Sequence, residues 1–149
     1  MQLPEKYVIL EIIPTSLHPS RGDIIQLSAL KLNNLKLLDR FDYRLNENKI
    51  YIDDFKKIID YDKDQFIYKD SSKEIIDEFK KFIGDLPLLI IDNTYTKNYL
   101  NEIENEKVSI FKFVGKEYND NIIEDLIREY EIQKTNHIVD ILYEALIKR

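Results

Sequence analysis

An apolar stretch near the N-terminus constrains the fold most strongly. From Val8 to Ile13 every residue is aliphatic except Glu11, and Pro14 follows directly. A run of this kind is typical of a strand covered on both faces of a sheet, and proline cannot donate the next ladder hydrogen bond. The sequence therefore predicts a central strand over 8–13 that carries a single carboxylate.

Two further strands are predicted by alternating side chains, over Ile24–Leu32 and Lys36–Leu45. A turn at Asn33-Asn34 separates them. Because so short a connection joins neighbouring antiparallel strands, the first three strands should form an antiparallel meander.

A helix should follow, since Ser71, Ser72, Lys73 and Glu74 form a capping box. Apolar residues then recur at helical spacing until Gly84: Ile75, Ile76, Phe79, Phe82 and Ile83. The later elements are predicted as strands over Pro87–Ile91 and Val108–Phe113, and helices over Thr94–Asn101, Asn121–Tyr130 and Asn136–Lys148. Together they indicate an α/β fold with a mixed five-stranded sheet flanked by helices.

Composition limits the classes of protein that the chain can represent. Its 149 residues suit one domain over 1–149, and it has no cysteine for a disulfide or a thiolate metal site. No apolar run approaches the roughly 20 residues that cross a bilayer, so we expect a cytoplasmic protein without a membrane partner. A formal charge of −6 disfavours tight binding along a nucleic-acid backbone. The two histidines, His18 and His137, cannot by themselves build a zinc site.

One stretch carries a resemblance to a known family. From Tyr7 to Leu17 the chain reads Tyr-Val-Ile-Leu-Glu-Ile-Ile-Pro-Thr-Ser-Leu, and Arg21-Gly22-Asp23 leads into the second strand. This opening resembles that of the DEDD (DnaQ-like) 3′-5′ exonucleases, which include the epsilon subunit of DNA polymerase III and ribonuclease T. There the first strand ends Asp-x-Glu-Thr-Thr-Gly-Leu. The order of elements is also that of this family, so the resemblance implies a ribonuclease H-like exonuclease fold.

Two other stretches support the same resemblance. Residues 50–75 align with the family without a gap, with Ile59-Asp60-Tyr61-Asp62 on its Leu-x-Gly-Ile-Thr neighbourhood. Gly84-Asp85-Leu86-Pro87-Leu88-Leu89 resembles its Gly-x-x-Pro-Leu-Val entry to the fourth strand. The likeness thus covers nearly the whole chain.

The family's chemistry needs carboxylates that this alignment does not supply. Two divalent ions, roughly 3.5–4 Å apart, activate a water and stabilise the leaving oxygen. Four carboxylates hold them, and hard ions of this type require oxygen ligands. Aligned through Thr15-Ser16-Leu17, the first Asp position is Glu11 and the Glu position is Ile13. Glu11 is therefore the one candidate metal ligand that remains in the first strand.

The second motif lacks its acid in the same way. Residues 87–100 resemble the family's Pro-Leu-Val-x-His-Asn-x-x-Phe-Asp-x-x-Phe-Leu, which puts Tyr95 on its Phe and Thr96 on its Asp. A threonine hydroxyl is a poor, neutral replacement for a carboxylate. Asp92 is an alternative acid, but it lies about a helical turn before the required position.

The last helix allows two registers of the family's His-x-Ala-x-x-Asp. With His137 on the general base, Leu142 takes the Asp position. With Asp140 on the Asp position, Thr135 takes the His. An apolar stripe over Ile138, Ile141, Leu142, Ala145 and Leu146 places Asp140 on the opposite face, which favours the His137 register.

Structural roles are an alternative for each of these residues. Glu11 could be hydrogen-bonded to loop amides or paired with a lysine, and burial could raise its pKa. His137 could be a partly exposed neighbour of the helix cap, and Asp140 a solvated helix residue.

The resemblance therefore implies an exonuclease-like domain that has lost metal-dependent hydrolysis. It would act as a noncatalytic module that binds an unidentified protein partner, or weakly a nucleic-acid 3′ end, and no cofactor is expected. The alternative is an active 3′-5′ exonuclease on DNA or RNA, dependent on magnesium or manganese and using Glu11, Asp92 and Asp140.

Overall fold

The computed structural model describes residues 2–46, 65–134 and 137–149. Within them lies a six-stranded mixed sheet whose order is β4-β3-β2-β1-β5-β6. The strands are β1 (Lys6–Pro14), β2 (Ile24–Asn33), β3 (Lys36–Leu45), β4 (Ile67–Lys69), β5 (Leu88–Ile90) and β6 (Lys107–Ser109). The helices are α1 (Ser72–Ile83), α2 (Thr94–Tyr99), α3 (Ile122–Glu129) and α4 (Ile138–Lys148). The predicted α/β fold with a mixed sheet and flanking helices is confirmed, with six strands instead of five.

Strand β1 occupies the centre, as its apolar sequence predicts. It pairs antiparallel with β2 and parallel with β5. Its alternate residues enter two different cores: Tyr7 and Ile9 pack with α4, whereas Val8 and Leu10 pack with α1. Because both faces are covered, the strand shows no polar alternation.

The predicted meander of β1, β2 and β3 is present. Pairing of β2 with β3 is antiparallel and closes at Asn33 and Lys36. The connecting turn is Asn34-Leu35, one residue later than predicted, with Asn34 at a φ of 53°. Asparagine tolerates this left-handed conformation better than most residues do.

Helix α1 begins and ends where its sequence predicts. The Ser71 hydroxyl accepts a hydrogen bond from the Glu74 N–H, and Gly84 ends the helix at a φ of 53°. The reciprocal half of the capping box differs, since the Glu74 carboxylate accepts from the Asp70 N–H. The helix buries Ile75 and Phe79 against the sheet.

Two elements of the structure differ from the sequence-based predictions. The strand predicted over Val108–Phe113 is extended only through Ser109, and a 3₁₀ helix follows over Ile110–Val114. Phe111 and Phe113 are both buried, so their alternation fits either conformation. Strand β4 was not predicted, because three residues at a sheet edge carry no periodic pattern.

Some predictions reach residues outside the described ranges. The aligned stretch 59–62 and the predicted helix start at Asn136 both lie there. Among the described residues, no helix is both long and apolar enough to cross a membrane.

Candidate functional site

Glu11 is buried between β1 and the start of α4. Only 2% of the residue is exposed. Its carboxyl group faces the backbone N–H groups of Ile138 and Val139, in the first turn of α4. Its Oε1 has no hydrogen-bond partner among the described residues. The expected amide contact therefore exists, but it comes from a helix N-terminus and not from a loop, and the expected lysine pair is absent from the described contacts.

Burial raises the pKa of the Glu11 carboxyl to about 8. Loss of hydration is the main cause, because it disfavours the charged form. The amides of Ile138 and Val139 oppose this rise, whereas the nearby carboxylates of Asp140 and Asp42 add to it. The expected rise in the pKa of Glu11 is therefore confirmed, and the side chain is mostly neutral at pH 7.

The neighbours of Glu11 on its face of β1 are apolar. Side chains two residues apart share a face of a strand, so Ile9 and Ile13 flank Glu11 there. Ile9 is fully buried in the core beneath α4. A second carboxylate with the spacing of the exonuclease motif is thus missing on either side of Glu11.

A cleft of about 340 Å³ opens beside this face. Glu11 lies at its inner end and Leu17, which is 60% exposed, at its rim. Apolar side chains form most of its walls: Ile13, Pro14, Leu17, Ile91, Tyr95 and Ile138. Its size and mostly apolar lining are those of a small-molecule site, in which Thr15 and Ser16 add hydroxyl groups and Glu11 adds a carboxyl group.

Helix α2 places Thr96 in the interior and Asp92 on the surface. Thr96 is 1% exposed, and its N–H donates to Oδ1 of Asn93, the N-cap, at 2.9 Å. Asp92 forms an ion pair with Lys97 at 2.6 Å, and its side chain is 40% exposed. Asp92 is therefore ion-paired with a surface lysine, and it does not line the cleft that contains Glu11.

The start of α4 differs from one structural expectation. His137 is the N-cap residue and is 6% exposed, with its ring centroid 5.7 Å from that of Phe66. It was expected to be partly exposed, but it is buried, with Phe66, the residue before β4, packed against its ring. Leu142 is 1% exposed and belongs to the core.

Asp140 is held by an arginine from β3. Its two carboxylate oxygens accept from the Arg40 guanidinium at 2.9 and 3.3 Å, and Arg40 also pairs with Asp42 at 2.9 Å. The expected exposure is present in part, since 31% of its side chain is exposed, but Asp140 is also ion-paired with Arg40 on β3. This ion pair holds the Asp140 carboxylate on Arg40, close to Glu11.

Comparisons with known proteins identify the fold. No family model matches the chain. It is 21% identical over 143 residues to the PolC-type DNA polymerase III of Staphylococcus aureus and to that of Staphylococcus saprophyticus, matching 88% of this chain but 10% of each polymerase. The Escherichia coli ExoI structure, solved with zinc and single-stranded DNA, superposes with a TM-score of 0.61 and 10% identity over 97% of this chain and 40% of ExoI. The chain has an exonuclease fold similar to that of ExoI.

This exonuclease fold brings only some of the aligned positions together. Glu11 and Ile13 line one cleft with Tyr95 and Ile138, while Thr96 and Leu142 are buried and are not among its lining residues. No group of three or more His, Asp or Glu side chains suited to a metal ion occurs in the described part of the chain.

Two residues near the site were missed by the sequence reasoning. Arg40 and Asp42 lie two positions apart on β3 and thus share a face, which was an available signal for a pair. Their link to Asp140 spans 100 positions, and nothing local in the sequence indicates it.

Proposed function

We propose that this exonuclease-fold domain does not hydrolyse phosphodiester bonds and acts as a binding module. One observation carries the proposal: among the described residues Glu11 is the only acid that lines the cleft, and it is buried in mostly apolar surroundings. A two-metal centre needs several anionic oxygens around each ion. Isoleucine, threonine and leucine stand at the three other aligned positions and offer no anionic ligand.

The state of Glu11 adds to this argument. A metal ligand must be deprotonated, so binding to Glu11 at pH 7 would first have to displace its proton. The pKa of about 8 makes that displacement unfavourable, and one recovered carboxylate would still leave each ion short of ligands. We expect manganese to bind with a dissociation constant in the millimolar range or weaker.

The contacts of the other acids argue against the active alternative. Asp92 is paired with Lys97, and Asp140 is paired with Arg40. Recruiting either to a metal would break an existing ion pair and turn the side chain towards Glu11. The three acids of the alternative are therefore not a preformed site.

A protein partner is favoured over a nucleic-acid end. In the part of the chain that the structure describes, the side chains that line the cleft include neither lysine nor arginine. Phosphate recognition depends on such cations, and a chain with a net charge of −6 lacks a general attraction for nucleic acid. The similarity to a DNA polymerase and to a DNA-bound exonuclease nevertheless makes a DNA-processing assembly the first place to seek that partner.

Incubation with end-labelled single-stranded DNA and RNA tests the proposal. The purified chain and Glu11→Gln are compared with magnesium or manganese present, and neither should shorten the 3′ end. Shortening by the wild type that Glu11→Gln abolishes would refute the proposal. Calorimetric titration with manganese is independent of substrate choice, and micromolar binding at two sites would equally contradict it.

A further inference from the structure

The carboxyl of Glu11 provides an acidic group in a mostly apolar cleft. It is 98% buried, and its Oε1 has no hydrogen-bond partner within the described ranges. A buried polar atom left without a partner costs free energy that a ligand donor would recover. The same carboxyl also faces the backbone of Ile138, a residue that lines the cleft. Glu11 lines the cleft together with Leu17, so the acceptor is carried by a residue that a ligand entering past Leu17 would contact.

The charges around Glu11 favour a positively charged ligand. Asp140 on α4 and Asp42 on β3 lie near it, and within the described ranges a single cation, Arg40, pairs with both. An ionised Glu11 therefore leaves the group with two net negative charges. Tyr95 on α2 also faces this carboxyl and supplies an aromatic ring to the wall. Phosphates and carboxylates are repelled here, whereas an ammonium gains an ion pair and a contact with an aromatic ring.

The apolar walls of the cleft favour a ligand whose remaining part, next to the ammonium, is hydrocarbon. Ile13, Pro14, Leu17 and Ile91 offer hydrocarbon surface between the rim and Glu11. Resting on the proposed function, we propose that the cleft binds a primary ammonium group on an unbranched apolar chain, with the ammonium on Glu11 and the chain against these walls. One monovalent ammonium is thereby enough to neutralise the single carboxylate of Glu11. Two divalent ions at the same place would need four carboxylates.

The test compares ligands that differ only in the terminal group. The full chain is titrated with n-hexylamine or n-hexanol at pH 8.5, where the amine is protonated and Glu11 largely ionised, while amide chemical shifts are recorded. Hexylamine should bind at least about tenfold more tightly than hexanol, because charge-assisted hydrogen bonds are stronger than neutral ones. The amides of Ile138 and Leu17 should shift. Equal affinities, or binding of neither compound, would overturn the inference.

Variants locate the charge that is responsible. Glu11→Gln should remove the preference for hexylamine, whereas Glu104→Gln, the same change at an exposed residue, should retain it. If Glu11→Gln fails to fold, the comparison of the two ligands on the wild type still decides the matter. The blocked peptide acetyl-Ala-Lys-Ala-amide distinguishes two sources of the ammonium: binding comparable to hexylamine indicates a partner's lysine, and binding of hexylamine alone a free amine. Nuclease activity would refute the proposed function, whereas equal ligand affinities refute only this inference.

Discussion

Replacing Glu11 with glutamine should change how stability depends on pH. The pKa of Glu11 is about 8 in the folded chain against an ordinary value of 4.5. Between these values the folded state holds a proton that the unfolded state releases, so stability falls as pH rises through this window. Linkage gives about 1.4 kcal/mol for each pH unit, and the full window therefore costs the wild type about 5 kcal/mol.

Urea unfolding at intervals from pH 4.5 to 9 measures this effect. The free energy of unfolding of Glu11→Gln minus that of the wild type should increase up to pH 8 and then become constant. Other titrating groups largely cancel in this difference, and Glu104→Gln is the matched control, for which the difference should stay flat. An effect of this size is comparable to the whole stability of many domains. A difference for Glu11→Gln that does not vary with pH would refute the account of its burial.

Three further predictions concern the groups around the site. Arg40→Met should lower the free energy of unfolding, measured in urea, by about 3 kcal/mol, because the buried carboxylate of Asp42 loses its cation. The control Arg128→Met, at an exposed ion pair, should lower it by less than about 1 kcal/mol. Equal losses in the two variants would contradict this prediction. Asn93→Ala should cost about 1 kcal/mol in the same assay, and Asn121→Ala, whose side chain makes no cap bond, close to nothing. Asp92→Asn should leave the calorimetric affinity for manganese unchanged, and a loss would favour the active exonuclease.

The sequence predicted the elements that carry strong local signals. The apolar run of β1, the capping box of α1 and the alternation of β3 each act within a few residues. The edge strand β4 lacks such a signal, because it forms only by pairing with β3. The 3₁₀ helix after β6 buries Phe111 and Phe113 in the same core that a strand would use. The local sequence pattern therefore could not distinguish a strand from a 3₁₀ helix at this position.

The candidate site was predictable only in part, for the same physical reason. An acid inside an apolar strand indicates burial and a raised pKa without knowledge of any partner. The identity of the groups that face it depends on contacts between distant elements. The start of α4 lies over Glu11, and Arg40 joins Asp140 across the sheet, because the fold packs α4 against β1 and β2. Such contacts leave no periodic trace in the chain.

The surroundings of each acid explain how an exonuclease fold can stand without a metal centre. Carboxylates gathered around two ions repel one another when the ions are removed, so such a site destabilises the empty fold. Here the aligned position at Leu142 is part of the apolar core, and the acid at Asp140 is neutralised by Arg40. Glu11 avoids the same cost by remaining protonated up to a pH of about 8. Each group is therefore compensated by its own neighbours, and among the described residues that line the cleft Glu11 is the one with a buried side-chain oxygen that has no hydrogen-bond partner, the oxygen to which the proposed ammonium binds.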